Sequence, residues 1–427
     1  MKWVDTIKKN QIFKDSFWAL FGSVVGKGLS LIGGILVARL LTKDIYGEYG
    51  IIKNTLYYIA VFSTFGLGFT STRFISKCRN NDPNRVNSIV NDTRLITLAT
   101  SGLMALVLLV FANPVANFLD APHLAFPLRI ASLAIIFNAF DAAQLGMMAG
   151  FGAFKTNARN TAISGVVNFI ASLFLTYCWG LTGAIIALVL SFIVSCSLNH
   201  FSIKKILRGF PIVNYNRKET VKELVVFSFP IALQESLYSL THWATIAIFV
   251  KLAGYGELAL NSAAGQWQAI ILFIPGVLRN VTLSHLSGNT DSLTQHQGTV
   301  STMLKVNFLS SFIPFLIIVL FSKFISSFYG ESFYDLPIVL VLSVLIAIPN
   351  CVSNVYSQEL ISRGENWYLF WVRLAKDVLT LAFVILILYF FHFKGAITLC
   401  CVTLFFQLLY LLVLFIHYRK TIKLNEA

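Results

Sequence analysis

Apolar stretches of about 20 residues recur along the whole chain, and this pattern constrains the fold more than any other feature. A helix of about that length is what crosses the hydrocarbon core of a bilayer. Only 12% of the 427 residues are charged and the mean hydropathy is +0.74, whereas soluble globular domains carry about 25% charged residues. Too few charges are present to cover a water-exposed surface, which excludes a soluble globular protein. The sequence therefore predicts an all-α integral membrane protein.

The apolar runs predict about twelve membrane-spanning helices. With the N-terminus placed in the cytoplasm, the cytoplasmic side holds 23 Lys and Arg residues and the opposite side holds 4. An excess of Lys and Arg marks cytoplasmic loops, so we expect both termini in the cytoplasm. The net charge of +14 is then explained by topology, and nucleic-acid binding is not expected. The predicted spans are 17–41, 47–72, 92–112, 125–150, 160–179, 181–201, 223–250, 258–279, 304–322, 336–361, 367–391 and 394–417.

Self-similarity divides these spans into two halves. A shift of 212 residues without gaps superposes Asn138 on Asn350 and the Gly-Ala-Ile run at 183–185 on the same run at 395–397. Because each half holds six spans, both halves enter the membrane in the same direction, as a parallel repeat with a pseudo-two-fold axis along the membrane normal. The sequence predicts two six-helix bundles, 1–208 and 222–427, joined by a basic cytoplasmic linker, 209–221, around a central cleft.

Polar residues inside the predicted spans mark the candidate site, because a charge facing lipid at mid-span costs about 2.5–3.5 kcal/mol. Three polar residues of the first span share one helical face, and the same shift pairs them with three residues of the seventh span. We expect both faces to line the cleft. The pairs are Ser23 with Glu235, Lys27 with Ser239, and Ser30 with His242.

The remaining candidates are cations that could bind a phosphate and polar groups that could line the cleft or couple transport to an ion. Most have a structural alternative: a buried ion pair for Lys27 and Glu235, and a helix-to-helix hydrogen bond for Asp141. For the other cations the alternative is anchoring at a membrane surface: Arg73 and Arg279 at the inner one, and Lys53 near the outer end of the second span. The phosphate-binding candidates are Lys27, Lys53, Arg73 and Arg279, and the further polar candidates are Asp141, Asn261 and Gln268.

No enzyme motif is present in the sequence. The chain has no HExxH, no phosphate-binding P-loop and no nucleophile elbow, and the six cysteines lack the spacing of metal ligands. Residues 65–68 read Phe-Gly-Leu-Gly, which lacks the third glycine of a dinucleotide fingerprint and favours helix packing. We therefore expect a protein that is not an enzyme and that needs no metal and no cofactor.

Several segments resemble a known family. Residues 35–50, ILVARLLTKDIYGEYG, resemble the first-loop signature of polysaccharide flippases. Residues 179–184, WGLTGA, and the Pro-Gly pair at 275–276 followed by Leu-Ser at 283–284 are similar to other segments of that family. Together with the number of spans, these segments resemble Wzx-type O-antigen flippases of the multidrug/oligosaccharidyl-lipid/polysaccharide (MOP) exporter superfamily over the whole chain.

That resemblance implies transport of an undecaprenyl-diphosphate-linked oligosaccharide from the inner to the outer leaflet of a bacterial plasma membrane by alternating access. The oligosaccharide would be the repeat unit of lipopolysaccharide O-antigen or of another polysaccharide. The implied partners are this lipid-linked oligosaccharide, the bilayer and other membrane proteins of polysaccharide assembly. Two alternatives stay open. One is a multidrug antiporter for organic cations in the same superfamily, and the other is a membrane polymerase or glycosyltransferase, which would need larger outward loops.

Overall fold

The computed structural model describes residues 26, 28–211, 213, 217–273, 293–363, 365–391 and 394–426. Within these residues it contains helices and no strand, as the sequence predicts. Short 3₁₀ turns precede three of the helices, at Pro83–Arg85, Pro122–Leu124 and Glu331–Phe333. The helices are α1 (Gly28–Leu40), α2 (Lys43–Thr64), α3 (Leu67–Asn81), α4 (Val86–Phe118), α5 (Ala125–Gly150), α6 (Phe154–Leu207), α7 (Arg217–Ala253), α8 (Tyr255–Ile271), α9 (Leu293–Leu320), α10 (Ser322–Ser327), α11 (Leu336–Ser362), α12 (Asn366–Phe391) and α13 (Gly395–Glu426).

Six helical segments of the described chain are long and apolar enough to cross a membrane. Their presence confirms the prediction of an all-helical, multi-pass membrane protein. The twelve-span layout and the cytoplasmic position of both termini stay predictions. The six segments are Pro83–Phe118, Pro122–Gly150, Phe154–Leu207, Val300–Leu320, Leu336–Ile361 and Gly395–Thr421.

One of these segments, α6, contains a break that divides it into two helical parts. Trp179 (φ −130°, ψ 16°) and Gly180 (φ 54°, ψ −132°) both leave the helical region. Glycine adopts a positive φ without the steric cost that a Cβ atom brings, so the chain can turn at this position. The predicted boundary between the fifth and sixth spans falls at the same residue and is confirmed.

The predicted second span, 47–72, is wrong as a single helix. Helix α2 ends at Thr64, Phe65 (φ 48°) and Gly66 (φ 66°) are left-handed, and α3 begins at Leu67. A left-handed residue stops the helical hydrogen-bond pattern, and glycine is the residue that takes this conformation most easily. Because α2 begins at Lys43 rather than at residue 47, Lys53 lies near the middle of a helix rather than near a span's outer end.

The chain forms two compact units, and we describe each by itself. The first unit contains residues 1–41 and 51–243, and the second contains residues 42–50 and 244–427. Helix α7 contributes residues to both units. The sequence predicts a linker at residues 209–221 between two six-helix bundles, and this division of the chain stays a prediction.

Close packing of α3 against α5 organises the first unit. A Cβ atom on Gly146 would overlap the carbonyl oxygen of Gly68, so the two backbones approach as only small residues allow. The hydroxyl of Thr72 donates to the carbonyl of Gly146 (2.9 Å), and the hydroxyl of Ser71 donates to that of Ala143 (3.3 Å). The prediction that Gly68 serves helix packing is confirmed by these contacts.

In the second unit, two carboxylates hold the start of α13. The backbone N–H of Ala396 donates to Glu257 of α8 over 2.7 Å, which satisfies one unpaired donor of the helix and places a negative charge at the positive end of its dipole. Lys394, just before α13, forms a 2.7 Å ion pair with Asp335 at the start of α11. Through these contacts α8, α11 and α13 are fixed to one another at the same end.

Candidate functional site

Three of the predicted site residues, Ser23, Lys27 and Arg279, lie outside the described residues. The predicted pairing of Lys27 with Glu235 therefore stays a prediction. Glu235 itself is half-buried on α7, and none of the ion pairs within the described chain includes it.

Lys53 is a charged residue deep within a helix of the first unit. It lies ten positions after the start of α2, which corresponds to about 15 Å along the helix axis. Its side chain is half-buried, and its Nζ lies 6.0 Å from the centre of the Tyr57 ring. Tyr57 in turn packs edge-on against Phe192 of α6 (6.4 Å) and lies in the electrostatic field of Asp141. Lys53 and Asp141 thus both lie near Tyr57.

Asp141 on α5 is held by neutral donors. Its Oδ1 accepts hydrogen bonds from the hydroxyl of Ser195 (2.5 Å) and the amide of Asn199 (3.0 Å), both on α6. Asn199 also accepts a bond from the amide of Asn160 (2.9 Å), which donates to Ser202 as well (3.0 Å). None of the ion pairs among the described residues includes Asp141. We call these five residues the Asp141 network.

A half-buried arginine that is not among the predicted site residues lies beside this network. Arg94 of α4 and Asp141 both act electrostatically on Cys196 of α6. The Nε and Nη2 atoms of Arg94 are buried and have no hydrogen-bond partner among the described residues. Arg94 lies near the start of the predicted span 92–112, where a basic residue is typical of a membrane surface, whereas α4 already begins at Val86.

The polar face predicted for the seventh span packs partly against α2 within the first unit. Ser239 is buried and its hydroxyl donates to the carbonyl of Tyr58 (3.0 Å). The ring of His242 lies 5.3 Å from the Tyr58 ring and 5.5 Å from the Tyr238 ring. The indole of Trp243 donates to the hydroxyl of Thr55 (3.1 Å). These contacts join α2 and α7, so Ser239 is used in helix packing.

Arg73 and Ser30 are both exposed. Arg73 projects from α3, where its guanidinium carbon lies 4.4 Å from the centre of the Phe227 ring of α7. A hydrogen bond between the hydroxyls of Thr70 and Ser228 (2.6 Å) joins the same two helices one turn away. Ser30 lies on α1.

Asn261 and Gln268 are half-buried on α8 in the second unit. Their neighbours on this helix make firm contacts: Gln266 donates to the hydroxyl of Tyr46, and the indole of Trp267 donates to that of Tyr329 (3.1 Å). The structure therefore places Lys53 and Asp141 in the first unit, each near Tyr57, and places Asn261 and Gln268 in the other unit. Within the described residues, no group of three or more His, Cys, Asp or Glu residues could hold a metal ion.

Comparison with known proteins identifies the family. The sequence profile described as "Polysaccharide biosynthesis protein" matches residues 12–278, which is more than half of the chain. The chain belongs to this family.

Curated relatives of this family member agree on transport. The chain is 23% identical over 389 residues to the EPS I polysaccharide export inner membrane protein EpsE of Ralstonia solanacearum, covering 86% of this chain and 85% of the relative. It is 24% identical over 281 residues to the succinoglycan biosynthesis transport protein ExoT of Rhizobium meliloti, covering 64% and 54%.

Solved structures show the same fold. An inward-facing multidrug resistance MATE family transporter of the MOP superfamily superposes with a TM-score of 0.78 at 15% identity, covering 96% of this chain and 99% of the other. A MOP superfamily transporter from Pyrococcus furiosus, described as having a binding pocket of reversed polarity, gives 0.70 at 15% identity, covering 98% and 97%. This member of the polysaccharide biosynthesis family is thus a multi-pass protein of the bacterial inner membrane, and its fold is that of the MOP-superfamily transporters named above.

Proposed function

We propose that this protein is a flippase that moves undecaprenyl-diphosphate-linked repeat units of O-antigen or another polysaccharide from the inner to the outer leaflet by alternating access. The observation that carries the proposal is the family match over residues 12–278. The two curated relatives, one named for polysaccharide export and one for succinoglycan transport, support the same class of cargo.

A half-buried cation within a helix supports a diphosphate as the part of the cargo that the protein binds. Lys53 lies about 15 Å along α2, where a positive charge is costly unless a negative group or water meets it. Lysine and arginine bind phosphate oxygens through charge-assisted hydrogen bonds. Lys53, together with Lys27, would hold the diphosphate at mid-depth. Arg73, which is exposed, and Arg279 would attract it at the cytoplasmic entrance.

The polyprenyl tail sets a second requirement for the mechanism. Moving this tail into water would cost about 0.8 kcal/mol for each CH₂ group. The tail would therefore stay in the bilayer while the sugar and the diphosphate cross in an aqueous cleft. The repeat of 212 residues predicts such a cleft between two six-helix bundles, 1–208 and 222–427, joined by the linker 209–221.

Transport into vesicles tests the proposal. The purified protein would be reconstituted with an undecaprenyl-diphosphate-linked oligosaccharide that carries a fluorescent sugar, and access of a membrane-impermeant quencher to the sugar would be followed. We expect quenching of the second leaflet's sugar to become faster than in protein-free vesicles. The proposal would be overturned if, for several different lipid-linked oligosaccharides, the rate of quenching with the protein equalled the rate in protein-free vesicles.

A cation antiporter is the second candidate, and the Asp141 network is the observation that favours it. Asp141 accepts hydrogen bonds only from neutral groups in the described chain, so its charge is available to a cationic ligand or a proton. A multidrug transporter has the same fold. Uptake of a cationic dye, measured in the same vesicles, separates the candidates: the flippase proposal predicts no dye transport above that of protein-free vesicles.

A further inference from the structure

An apolar groove with a volume of about 300 Å³ opens on the second unit between α11 and α13. Leu408 and Leu412 on its wall are 50% and 51% exposed, so the groove is open rather than an enclosed core cavity. Its lining residues are Val352 and Tyr356 of α11 and Leu408, Leu411, Leu412 and Phe415 of α13.

A cation lies at one end of this groove. The guanidinium carbon of Arg419 is 4.7 Å from the centre of the Phe415 ring, and its charge also acts on Tyr356. The Tyr356 ring packs against Phe415 (6.1 Å) and Tyr418 (5.3 Å). The end of the groove is therefore an aromatic surface with a guanidinium stacked on it, which is a stable position for an arginine.

The charges around Arg419 leave this end positive. Arg419 and its neighbour Lys420 are exposed, and none of the ion pairs within the described part of the chain includes either residue. Two acids act at this end, and each is paired: Glu359 with Arg363 one turn along α11, and Glu365 with His417 of α13. An anion that approaches the groove would thus meet one exposed guanidinium and one exposed ammonium.

The groove and the cation are arranged along the membrane-spanning part of α13, which covers Gly395–Thr421. The apolar walls, up to Phe415, lie at the depth of hydrocarbon, and Arg419 lies where that segment ends and the phosphate layer of a bilayer begins. We propose that the groove holds one acyl chain of an anionic phospholipid whose phosphate binds Arg419. This site is independent of the transported cargo.

A bilayer phospholipid fits this site better than a polyprenyl diphosphate does. Phosphatidylglycerol has a single phosphate group, which one guanidinium can bind through paired hydrogen bonds. A diphosphate carries a second phosphate group, and the other guanidinium that acts on this aromatic cluster, that of Arg363, is already engaged by Glu359. The bilayer also supplies phospholipid in large excess.

Native mass spectrometry of the full-length protein, delipidated in detergent, tests this site. The probe is phosphatidylglycerol, compared with phosphatidylcholine of the same chain length. We expect tighter binding of phosphatidylglycerol, and a loss of about fivefold in its affinity for Arg419→Gln, as expected for removal of one basic residue at an anionic lipid surface. Arg208→Gln, which removes an exposed arginine just after α6, is the matched control and should bind as the unmodified protein does.

Two tryptophan variants test the apolar part. Leu412→Trp fills the groove and should reduce phosphatidylglycerol binding. Leu409→Trp, at a 41% exposed position of the same helix that does not line the groove, should leave it unchanged. Both positions are exposed, so a folding defect is not expected, and thermal unfolding of each variant checks this.

Three results would overturn the proposal. The first is equal phosphatidylglycerol binding by Arg419→Gln and Arg208→Gln. The second is equal binding by the two tryptophan variants. The third is displacement of phosphatidylglycerol by an equal concentration of undecaprenyl phosphate, which would make the polyprenyl carrier the occupant.

Discussion

Ser195 on α6 donates a 2.5 Å hydrogen bond to the carboxylate of Asp141 on α5. At the positions 212 residues further along the chain, Gln407 on α13 donates a 2.9 Å hydrogen bond to the hydroxyl of Ser353 on α11. The two pairs join equivalent helices in the two halves that the sequence repeat predicts. The first half has a carboxylate where the second half has a neutral hydroxyl.

Helix boundaries repeat with the same offset. Helix α5 ends at Gly150 and α11 ends at Ser362, while α6 begins at Phe154 and α12 begins at Asn366. These boundaries, found separately in the two units, support the repeat that was inferred from a few matching residues. The carboxylate of Asp141 is then a difference between two otherwise related helix pairs, which makes it a target for substitution.

Asp141→Asn should keep the fold, because an amide oxygen can still accept the bonds from Ser195 and Asn199. Asp141→Leu should lower the free energy of unfolding by about 1–3 kcal/mol, since it leaves buried donors unsatisfied. Thermal unfolding of the purified variants in detergent measures the difference. Equal melting temperatures for the two variants would contradict the role of the Asp141 network in packing.

The same Asp141→Asn variant separates the two candidate functions. A flippase should keep moving the lipid-linked oligosaccharide, because its diphosphate does not bind a carboxylate. A cation antiporter should lose most of its dye uptake, since the neutral amide offers no charge to the cation. Both assays would be run in vesicles with equal amounts of reconstituted protein.

Much of the fold could be predicted from the sequence, because span-length apolar runs leave a chain few alternatives to membrane helices. The break at Gly180 was predictable too, because the apolar stretch that contains it is long enough for two spans, 160–179 and 181–201. The end of α2 was not predictable, because Gly66 lies inside the predicted span 47–72 and its left-handed conformation does not change the hydropathy of that segment.

The candidate site was less predictable than the fold. Asp141 stood out as an acid inside a span, but its partners Ser195 and Asn199 are small polar residues of a kind that membrane helices often contain. Their spacing of four residues places them on one face of α6, which is the one available signal. Which helix that face contacts depends on tertiary packing.

Gly146→Ala should destabilise the first unit, because the added Cβ would overlap the backbone of Gly68. Overpacking of this kind costs about 1–3 kcal/mol. Gly102→Ala is the matched control: apart from the adjoining backbone of α4 itself, no described atom lies within 4 Å of a Cβ built on Gly102. Thermal unfolding should show a lower melting temperature for Gly146→Ala only, and a similar decrease for both variants would refute the α3–α5 contact.

The ion pair between Arg85 and Glu223 should hold the start of α7 against the start of α4. The two groups are 2.5 Å apart, and their side chains are 23% and 40% exposed. Glu223→Arg places two like charges together and should lower the melting temperature. Adding Arg85→Glu restores opposite charges and should recover part of the loss. For such an exposed pair we expect a coupling of about 0.5–1 kcal/mol in a double-mutant cycle, and an additive double variant would exclude the pairing.

Charge, rather than shape, at Lys53 and Lys27 should determine export. If these side chains bind the diphosphate, Lys53→Arg and Lys27→Arg should retain much of the transport, because a guanidinium also binds phosphate. Lys53→Ala and Lys27→Ala should each weaken cargo binding by roughly tenfold to hundredfold, the size expected for a hydrogen bond to a charged group.

Lys323→Ala, which removes an exposed lysine between α9 and α11, should transport normally and serves as the control. Initial rates over a range of lipid-linked oligosaccharide concentrations, at equal protein abundance, separate weaker binding from slower turnover. Normal export by both alanine variants would place the diphosphate elsewhere, while loss of export by the arginine variants too would indicate a role in packing instead of phosphate binding.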